Sequence, residues 1–563
     1  MIKHLEIETI IDNLNYLYNN RGAWVYDQII DLVNKYRPLI TNEKKALSQK
    51  DIILITYGDH VQKKGQSHLK TLKEFVEKYC LPEINSTHIL PFYPYTSDDG
   101  FSVKDYFEVD PNLGSWKDVS ALSINSNLMF DAVVNHMSKS SKWFQSYLAE
   151  DEGFENFFTA VDPTTDLSKV VRPRALPLLT PFTNNNGEKK FVWTTFSEDQ
   201  VDLNYASPEV FIAVLDVLLF YVSKGAKFIR LDAIAFLWKI IGTNCLHLEQ
   251  THLIIKLYKK VIETLTKNVS IITETNVPHN ENISYFGNGH DEADLVYNFT
   301  LAPLLGYSVI KNNVSTLTKW AQSLSFPSDK VCFFNFTASH DGIGMRPLQN
   351  IIPDNEIAEL AKVAESNGGH VSYKNNEDGT QSPYELNCNY MDFLSAPNDS
   401  NAIRSQKMLL SQAVMIAMPG VPGIYFHSLV GSQNYHKGVE ESGIKRRINR
   451  EKLDLHQLEK ELESQGSLRN TIFSNYKKML AVRTKEQAFN PFGYANYSNV
   501  KESIFIIERV YNNETIYAVF NFGNTAVKMP ALSDNVYDLL NEDYITNNDW
   551  DIEPYQFYWL KKN

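Results

Sequence analysis

The stretch FIRLDAIAF, residues 228–236, places an arginine and an aspartate inside an otherwise apolar run. In a β-strand Arg230 and Asp232 point to the same side, because side chains alternate with a period of two. Burying two charged groups costs several kcal/mol unless the groups pair and form hydrogen bonds. A buried strand with such a pair therefore predicts either a structural ion pair or a functional site at the end of the strand.

A helix with recognisable ends precedes this strand. Ser207, Pro208 and Glu209 supply an N-cap residue, a proline at the first helical position and an acid in the first turn. The apolar pattern then runs to Gly225, a residue type that often follows a helix C-terminus. The sequence therefore predicts a helix that leads directly into the strand that carries Arg230.

The same alternation of helix and strand recurs from Asp51 onwards. Eight short apolar runs are candidate strands: residues 53–57, 86–93, 128–136, 227–236, 270–276, 294–299, 331–341 and 423–429. Eight strands that alternate with helices predict an α/β fold of the (β/α)8 barrel type.

Two long connections and a change of pattern near the end suggest additional domains. After residue 487 the chain shows short alternating strands, which indicate an antiparallel β domain. The predicted organisation is an N-terminal helical extension (1–48), the barrel (49–136 and 205–486), a B subdomain inserted after the third strand (137–204) and a C-terminal β domain (487–563).

Composition excludes several classes of protein. The 563 residues are 43% hydrophobic and 21% charged with a net charge of −13, so a nucleic-acid-binding role is not expected. The N-terminus lacks the pattern of a signal peptide, and no run of 18 apolar residues predicts a membrane span. The four cysteines form no CxxC pair, which is typical of a reducing cytoplasm.

Three carboxylates follow three different candidate strands: Asp232, Glu274 and Asp341. In a (β/α)8 barrel the carboxyl ends of the strands meet at the active-site face, so only the barrel would bring these acids together. Retaining glycosyl transfer requires one carboxylate as nucleophile and a second as acid/base about 5 Å away. A third carboxylate would stabilise the positively charged transition state.

The surroundings of these acids suggest different protonation states. Arg230 on the same strand face as Asp232 is expected to lower the pKa of that carboxyl, whereas burial behind the SIIT run is expected to raise the pKa of Glu274. Each feature alone is more often structural. Their combination in one barrel order favours an active site.

The motifs resemble the conserved regions of glycoside hydrolase family 13, the α-amylase superfamily. The matching stretches, in chain order, are DAVVNH (131–136), QVDLN (200–204), RLDA (230–233), TETN (273–276) and SHD (339–341). The resemblance implies that Asp232 is the nucleophile, Glu274 the acid/base and Asp341 the transition-state stabiliser. It further implies sugar contacts from His136, Arg230 and His340.

Within this superfamily the chain is similar to the sucrose phosphorylase group. ITYGDH (55–60) resembles the first strand of that group, which implies that Asp59 binds the far edge of the glucose together with Arg450 of INREKL (448–453). Tyr106 stands where the group has a histidine and is expected to contact the same sugar. VRPRALPLLTPF (171–182) resembles the loop that meets phosphate or the acceptor, which nominates Arg174.

The acceptor loops depart from those of the sucrose enzymes. Residues 368–390 and 419–434 resemble relatives that phosphorolyse glucosylglycerate or glucosylglycerol, and the resemblance favours glucosylglycerate. Phosphorylases of glucosylglycerol, sucrose and sucrose 6′-phosphate stay open, as does an α-glucoside hydrolase or transglucosidase. Gln381 and Tyr384 join Arg174 as expected phosphate or acceptor ligands. A carboxylate on the acceptor requires a further cation, for which the candidates are Arg346, Lys374 and His427.

The expected partners are a small α-glucoside and inorganic phosphate, with no nucleic acid and no membrane. No cofactor is expected, and no metal, because the resemblance implies that the phosphorylase group lacks the calcium site of the superfamily. A non-catalytic scaffold is disfavoured because all three carboxylates are present. The oligomeric state stays open.

Overall fold

In the computed structural model of the protein, a closed barrel of eight parallel strands forms the centre of the molecule. The described residues are 4–42, 46–173, 176–376, 379–530, 532, 536–545 and 549–562. The barrel strands are β1 (Ile53–Thr56), β2 (Ser86–Ile89), β3 (Asn127–Ala132), β4 (Ala226–Leu231), β5 (Ser270–Thr273), β6 (Leu295–Tyr297), β7 (Cys332–Asn335) and β8 (Val421–Tyr425).

Each barrel strand pairs in parallel with its neighbour in the chain, and β1 pairs with β8 to close the sheet. All eight strands overlap the runs predicted from sequence, and three of them begin one or two residues earlier, so the predicted (β/α)8 fold is confirmed. Several strands are shorter than their apolar runs. Strand β2, for example, ends at Ile89 although the apolar run continues to residue 93.

Helices surround the barrel on the outside. Two helices precede β1, and the others follow the barrel strands in turn. They are His4–Tyr18, Gly22–Tyr36, His68–Phe75, Trp116–Leu122, Lys142–Ala149, Pro208–Ser223, Glu249–Leu265, His279–Ile283, Leu301–Lys311, Ser315–Gln322, Asp354–Ser366, Tyr390–Leu394, Asn401–Ala417, Phe426–Leu429, His436–Ser442, Leu455–Glu463 and Leu468–Lys485.

The helix before β4 has the predicted ends. Pro208 occupies the first turn, and Gly225 adopts a left-handed φ of 96° just beyond the last turn. Ser207 has the extended backbone of an N-cap, but its hydroxyl donates to Glu209 Oε2 at 2.7 Å instead of accepting from a backbone N–H. The cap sequence therefore positions the helix correctly, with a different hydrogen bond from the usual one.

The two N-terminal helices pack against the helix Pro208–Ser223. Tyr18 lies against Phe211 with ring centroids 6.0 Å apart, and Lys35 pairs with Asp216 at 2.8 Å. The predicted N-terminal extension therefore covers the outside of the barrel next to the helix that leads into β4.

Two elaborations cover the carboxyl ends of the strands. After β3 the chain forms the antiparallel pairs His136–Ser138 with Gln200–Asp202 and Leu179–Thr183 with Lys189–Trp193. After β7 it forms a three-stranded antiparallel sheet with Gln381–Asn387 between Ile343–Gly344 and His370–Asn375. Both elaborations supply residues to the candidate site described below.

An antiparallel β domain follows the last barrel helix. Its main sheet contains Tyr494–Lys501, Ile504–Tyr511, Glu514–Asn521, Phe557–Lys562, Val536–Asp538 and Asp543–Ile545 in spatial order, and a second sheet pairs Val527–Pro530 with Asp549–Ile552. The buried Arg509 joins this domain to the barrel, because it donates to Ala417 O and to Asn490 O, both at 2.6 Å. The predicted C-terminal β domain is confirmed.

Three further features concern the sequence predictions. No helix among the described residues has the length and apolar content needed to cross a bilayer. All four cysteines are free thiols and buried. Within the described part of the chain, no three His, Cys, Asp or Glu side chains are grouped as metal ligands.

Candidate active site

The pairing of β3 with β4 places an acid next to the buried Arg230. Asp131 on β3 lies opposite Arg230 on β4, and the two side chains form an ion pair. The other oxygen of Asp131 lies 2.6 Å from His88 Nε2, and both of these side chains are fully buried. Burial raises the pKa of Asp131, but Arg230 and His88 outweigh it, so the pKa of Asp131 lies below its usual value.

Asp232 lies immediately after β4 and shares the same arginine. Arg230 Nη1 lies 2.6 Å from Asp232 Oδ1, and the Asp232 N–H donates to Ala132 O at 3.1 Å. Ala233 then adopts a left-handed φ of 49°, a conformation that a non-glycine residue adopts at a cost of about 1 kcal/mol. This turn fixes the direction of the Asp232 carboxylate.

Glu274 follows β5 and lies beside the same turn. Its backbone N–H donates to Leu231 O at 3.1 Å, and its carboxylate accepts the Ala233 N–H at 3.0 Å. Glu274 Oε1 lies 3.8 Å from Arg230 Nη2, so Arg230 connects the two acids. Neighbouring strands therefore bring together two carboxylates that are far apart in sequence.

The pKa of both carboxyls is raised. Burial raises the pKa of Asp232 well above its usual value, and Arg230 offsets only part of this rise. Burial also raises the pKa of Glu274, with Asp341 adding to the rise. The prediction for Glu274 agrees with this direction, but the predicted lowering for Asp232 is wrong. The physical reason is that burial outweighs the effect of Arg230, which also pairs with Asp131, while the charges of Glu274 and Asp131 add to the rise.

Asp341 is held by a residue that sequence reasoning missed. Arg446 Nη1 lies 2.6 Å from Asp341 Oδ1, and Arg446 Nε lies 3.1 Å from Glu385 Oε1. Burial raises the pKa of Asp341, but Arg446, followed by His340, lowers it further, so the net direction is downwards. Asp341 is therefore an ionised carboxylate. Arg446 belongs to the basic stretch 445–452, whose density of cations is the signal that could have identified it.

Two histidines line the wall near these acids. His340 stacks on Phe101 with ring centroids 4.6 Å apart and an interplanar angle of 4°. Burial lowers the pKa of His340 to about 3, so the ring is neutral at physiological pH. His136 Nε2 lies 3.0 Å from Phe101 O and 3.2 Å from Gln200 Nε2. Phe101 therefore lies between the two predicted histidines.

These groups line one cavity. Six of the residues predicted for the site line it: His136, Asp232, Glu274, His340, Asp341 and Tyr384. Arg230 lies beneath it, in contact with Asp232. The cavity is also lined by seven polar residues outside the predicted catalytic and sugar-binding set: Asp98, Gln200, Thr275, Asn276, Arg346, Glu385 and Arg446.

Asp59 and Arg450 line a second cavity, and the predicted pair between them is not formed. Arg450 instead binds Asp99 Oδ2 at 2.7 Å and His340 O at 2.7 Å, while Asp59 pairs with Lys452. The turn at residues 98–100 has left-handed backbone at each position. Because Asp98 lines the first cavity and Asp99 the second, this turn separates them.

Tyr106 is buried, and it is not among the described residues that line the first cavity. Its hydroxyl donates to Val133 O at 2.8 Å and to His136 O at 3.2 Å. The predicted direct sugar contact is therefore not supported by this geometry, since the hydroxyl is occupied by backbone acceptors. Tyr106 positions the backbone that carries His136.

The predicted acceptor ligands are dispersed. Arg174 lies outside the described residues. Gln381 is exposed at the start of its strand and is not among the described residues that line the cavity. His427 is buried against His60 with ring centroids 4.7 Å apart, and its Nδ1 lies 2.8 Å from Ser432 Oγ. It does not line the first cavity, so it is no longer a candidate ligand for the acceptor. Of the residues predicted for the acceptor, Tyr384 and Arg346 line the first cavity.

The QVDLN motif has a structural role next to the site. Asp202 accepts hydrogen bonds from the Thr195 hydroxyl at 2.6 Å and from Asn135 Nδ2 at 3.2 Å. Lys239 Nζ lies 2.9 Å from Asp202 Oδ2 and 3.4 Å from Asn135 Oδ1. The Lys239 ammonium is therefore the cation that neutralises the Asp202 carboxylate.

The fold and the site together define a class of protein. A parallel barrel that presents two buried carboxyls with raised pKa values, a third ionised carboxylate and buried arginines at its strand ends is suited to carboxylate-based glycosyl transfer.

Comparison with known proteins places the chain within this class. Residues 81–342 match the family model "Alpha amylase, catalytic domain". The glucosylglycerate phosphorylase of Escherichia coli (strain K12) is 43% identical over 98% of this chain and 100% of the relative. The glucosylglycerol phosphorylase of Marinobacter adhaerens is 28% identical over 79% of this chain and 89% of the relative.

A solved structure shows the same fold. The sucrose 6F-phosphate phosphorylase from Thermoanaerobacter thermosaccharolyticum superimposes with a TM-score of 0.75 over 90% of this chain and 99% of that chain, at 22% identity. The chain belongs to the α-amylase family, glycoside hydrolase family 13, and within it to the glycosyl-transferring phosphorylases that include the glucosylglycerate and sucrose enzymes.

Proposed function

We propose that the protein is a retaining phosphorylase that converts 2-O-α-glucosylglycerate and phosphate to α-glucose 1-phosphate and glycerate. The observation that carries the choice of acceptor is the 43% identity over nearly the full length of a glucosylglycerate phosphorylase. The geometry supports the reaction class independently, because Asp232, Glu274 and Asp341 line one cavity.

In the first step Asp232 attacks the anomeric carbon while Glu274 protonates the departing oxygen of glycerate. This step needs an ionised Asp232 and a protonated Glu274. Burial raises both pKa values, and because the two carboxyls interact they titrate as a pair and not independently. Arg230 lies 2.6 Å from Asp232 but 3.8 Å from Glu274, so the negative charge is favoured on Asp232 and the proton on Glu274.

In the second step phosphate attacks the glucosyl-enzyme from the side that glycerate has left. Glu274, now ionised, accepts the proton of the incoming phosphate, and the Asp232 carboxylate is released. Two displacements at the same carbon retain the α configuration. Asp341, ionised beside Arg446, stabilises the positive charge that develops on the sugar in both steps.

The test of this function is the reverse reaction. The enzyme is given α-glucose 1-phosphate with D-glycerate, glycerol, fructose or fructose 6-phosphate, and phosphate release is measured. We expect release with D-glycerate to exceed that with each other acceptor. Preferential release with another acceptor would assign the corresponding phosphorylase, and equal release with and without acceptor would indicate a hydrolase. A cytoplasmic location is part of the proposal, since a charged sugar phosphate is retained in the cell.

The Arg446–Asp341 pair leads to a prediction about pH. Arg446→Gln removes the main group that keeps the pKa of Asp341 low, so burial would then raise that pKa. We expect the acid limb of the kcat/KM profile to move to higher pH, with a loss of about 10- to 100-fold near pH 6 that recovers partly as the pH rises. Arg447→Gln removes a charge from the next residue, which pairs with Asp99 at 2.5 Å, and should leave the acid limb in place. Coincident acid limbs for Arg446→Gln and the wild type would contradict the role of this pair.

A further inference from the structure

One wall of the first cavity carries Asn276, Arg346 and Tyr384, and we call this wall the acceptor side. Its arginine has an N–H donor without a hydrogen-bond partner among the described residues. Arg346 follows the short strand Ile343–Gly344, which pairs with the strand that contains Tyr384. The Met345 N–H donates to Tyr384 O at 3.0 Å, so the ladder continues up to Arg346. Arg346 and Tyr384 therefore lie at neighbouring positions, and both line the cavity.

The partners of Arg346 differ from those of the other arginines at the site. Arg230 and Arg446 each bind acids directly, with contacts of 2.6 Å to Asp232 and to Asp341 respectively. By contrast, Arg346 forms no ion pair with a carboxylate of the described residues, and its buried Nε, like that of Arg230, has no hydrogen-bond partner there. A buried donor without a partner carries an uncompensated desolvation cost, which a ligand oxygen at this position would offset.

Neighbouring basic groups respond to this charge. Burial lowers the pKa of Lys374, and Arg346 lowers it further. Burial, His252 and then Arg346 lower the pKa of His247 to about 4. Arg346 therefore places a positive charge close to Lys374 and His247.

A second unpaired polar atom lies on the same wall. Asn276 lines the cavity, and its buried Oδ1 has no hydrogen-bond partner in the described part of the chain. A Cβ added at Gly344 would lie 2.6 Å from this oxygen, so the glycine allows the Asn276 amide to lie close to the strand that leads to Arg346. The wall thus presents an unused donor on Arg346 and an unused acceptor on Asn276.

We propose that Arg346 binds the oxyanion of the acceptor, the carboxylate of glycerate or the phosphate that replaces it, while Asn276 Oδ1 accepts a hydrogen bond from an acceptor hydroxyl. This inference rests on the proposed function and adds to it the residues that select the acceptor. A planar guanidinium fits a carboxylate or phosphate with two parallel hydrogen bonds. A neutral acceptor such as glycerol would leave the cation unpaired, so the same residue selects against it.

The test uses α-glucosyl fluoride as donor, because fluoride departs without protonation and every acceptor then meets the same glucosyl-enzyme. Transfer to D-glycerate, to phosphate, to glycerol and to water is measured for the wild type and for Arg346→Gln. We expect Arg346→Gln to lower kcat/KM for an anionic acceptor about 50-fold, mainly through KM, and to change the rates with glycerol and water less than about twofold. Arg346→Lys should recover part of the loss, since it keeps the charge but not the planar fork.

The four acceptors separate the possible outcomes. A loss restricted to glycerate identifies the bound group as the carboxylate, a loss restricted to phosphate identifies it as the phosphate, and a loss with both shows that the two share the site. The proposal is overturned if the rates with water and glycerol fall as much as the rates with the anions, or if the rate falls with neither anion. Arg21→Gln, at a surface pair with Glu209, is the control for the loss of one charge. A wild type that does not use glycerate would instead contradict the proposed function.

Discussion

Replacing Asp232 with asparagine should lower kcat/KM for phosphorolysis by at least about 10⁴-fold. The amide keeps the shape of the carboxylate next to Arg230, but it cannot form the ester bond to the anomeric carbon. The loss should affect every donor, including α-glucosyl fluoride, because each must form the same glucosyl-enzyme. Steady-state rates with glucosylglycerate and with α-glucosyl fluoride measure this directly.

The stereochemistry of a rescued reaction gives a sharper test of the same role. Asp232→Gly opens space on the face where the nucleophile stood, so azide should attack α-glucosyl fluoride there and yield β-glucosyl azide. Asp216→Asn, which removes an acid from the surface pair with Lys35, is the control for an aspartate outside the site and should retain wild-type activity. Wild-type rates for Asp232→Asn, or an α-configured azide from Asp232→Gly, would exclude Asp232 as the nucleophile.

The barrel could be predicted because its signal is local. Each strand is an apolar run bounded by polar residues, and the helix before β4 carries its cap residues in Ser207, Pro208 and Gly225. The three carboxylates could also be predicted, because the barrel topology alone brings strand ends to one face. Asp232, Glu274 and Asp341 line the same cavity for that reason.

The rest of the site depends on long-range pairs that no local pattern encodes. Arg450 binds Asp99, a residue 351 positions away, instead of Asp59, and this choice depends on the left-handed turn at residues 98–100. The pKa of Asp232 is another case. Arg230 is visible two residues away in sequence, but its second partner, Asp131, lies on the adjacent strand and takes part of its charge. A pKa shift that depends on competition among several charged partners can be predicted only when their three-dimensional arrangement is known.

Replacing Glu274 with glutamine should separate donors by their leaving groups. Glycerate leaves as an alkoxide unless it is protonated, so phosphorolysis of glucosylglycerate should fall about 10³- to 10⁴-fold. Fluoride needs no proton to depart, so the rate of fluoride release from α-glucosyl fluoride should fall by less than about tenfold. Comparison of the two donors on one enzyme preparation gives this ratio, and an equal loss with both would contradict the assignment of Glu274 as the acid.

The stability of the Glu274→Gln variant tests the raised pKa. The pKa of Glu274 is higher in the folded state than in the unfolded chain, so the ionised carboxyl destabilises the fold above the unfolded pKa of about 4 and has no such effect below it. Glutamine removes this penalty, so the thermal midpoint of the variant at pH 7 should equal or exceed that of the wild type. The difference should shrink as the pH falls towards 4. A variant that is less stable at pH 7 but equally stable at pH 4 would show that the ionised carboxylate stabilises the fold, and that the proton of the pair does not reside on Glu274.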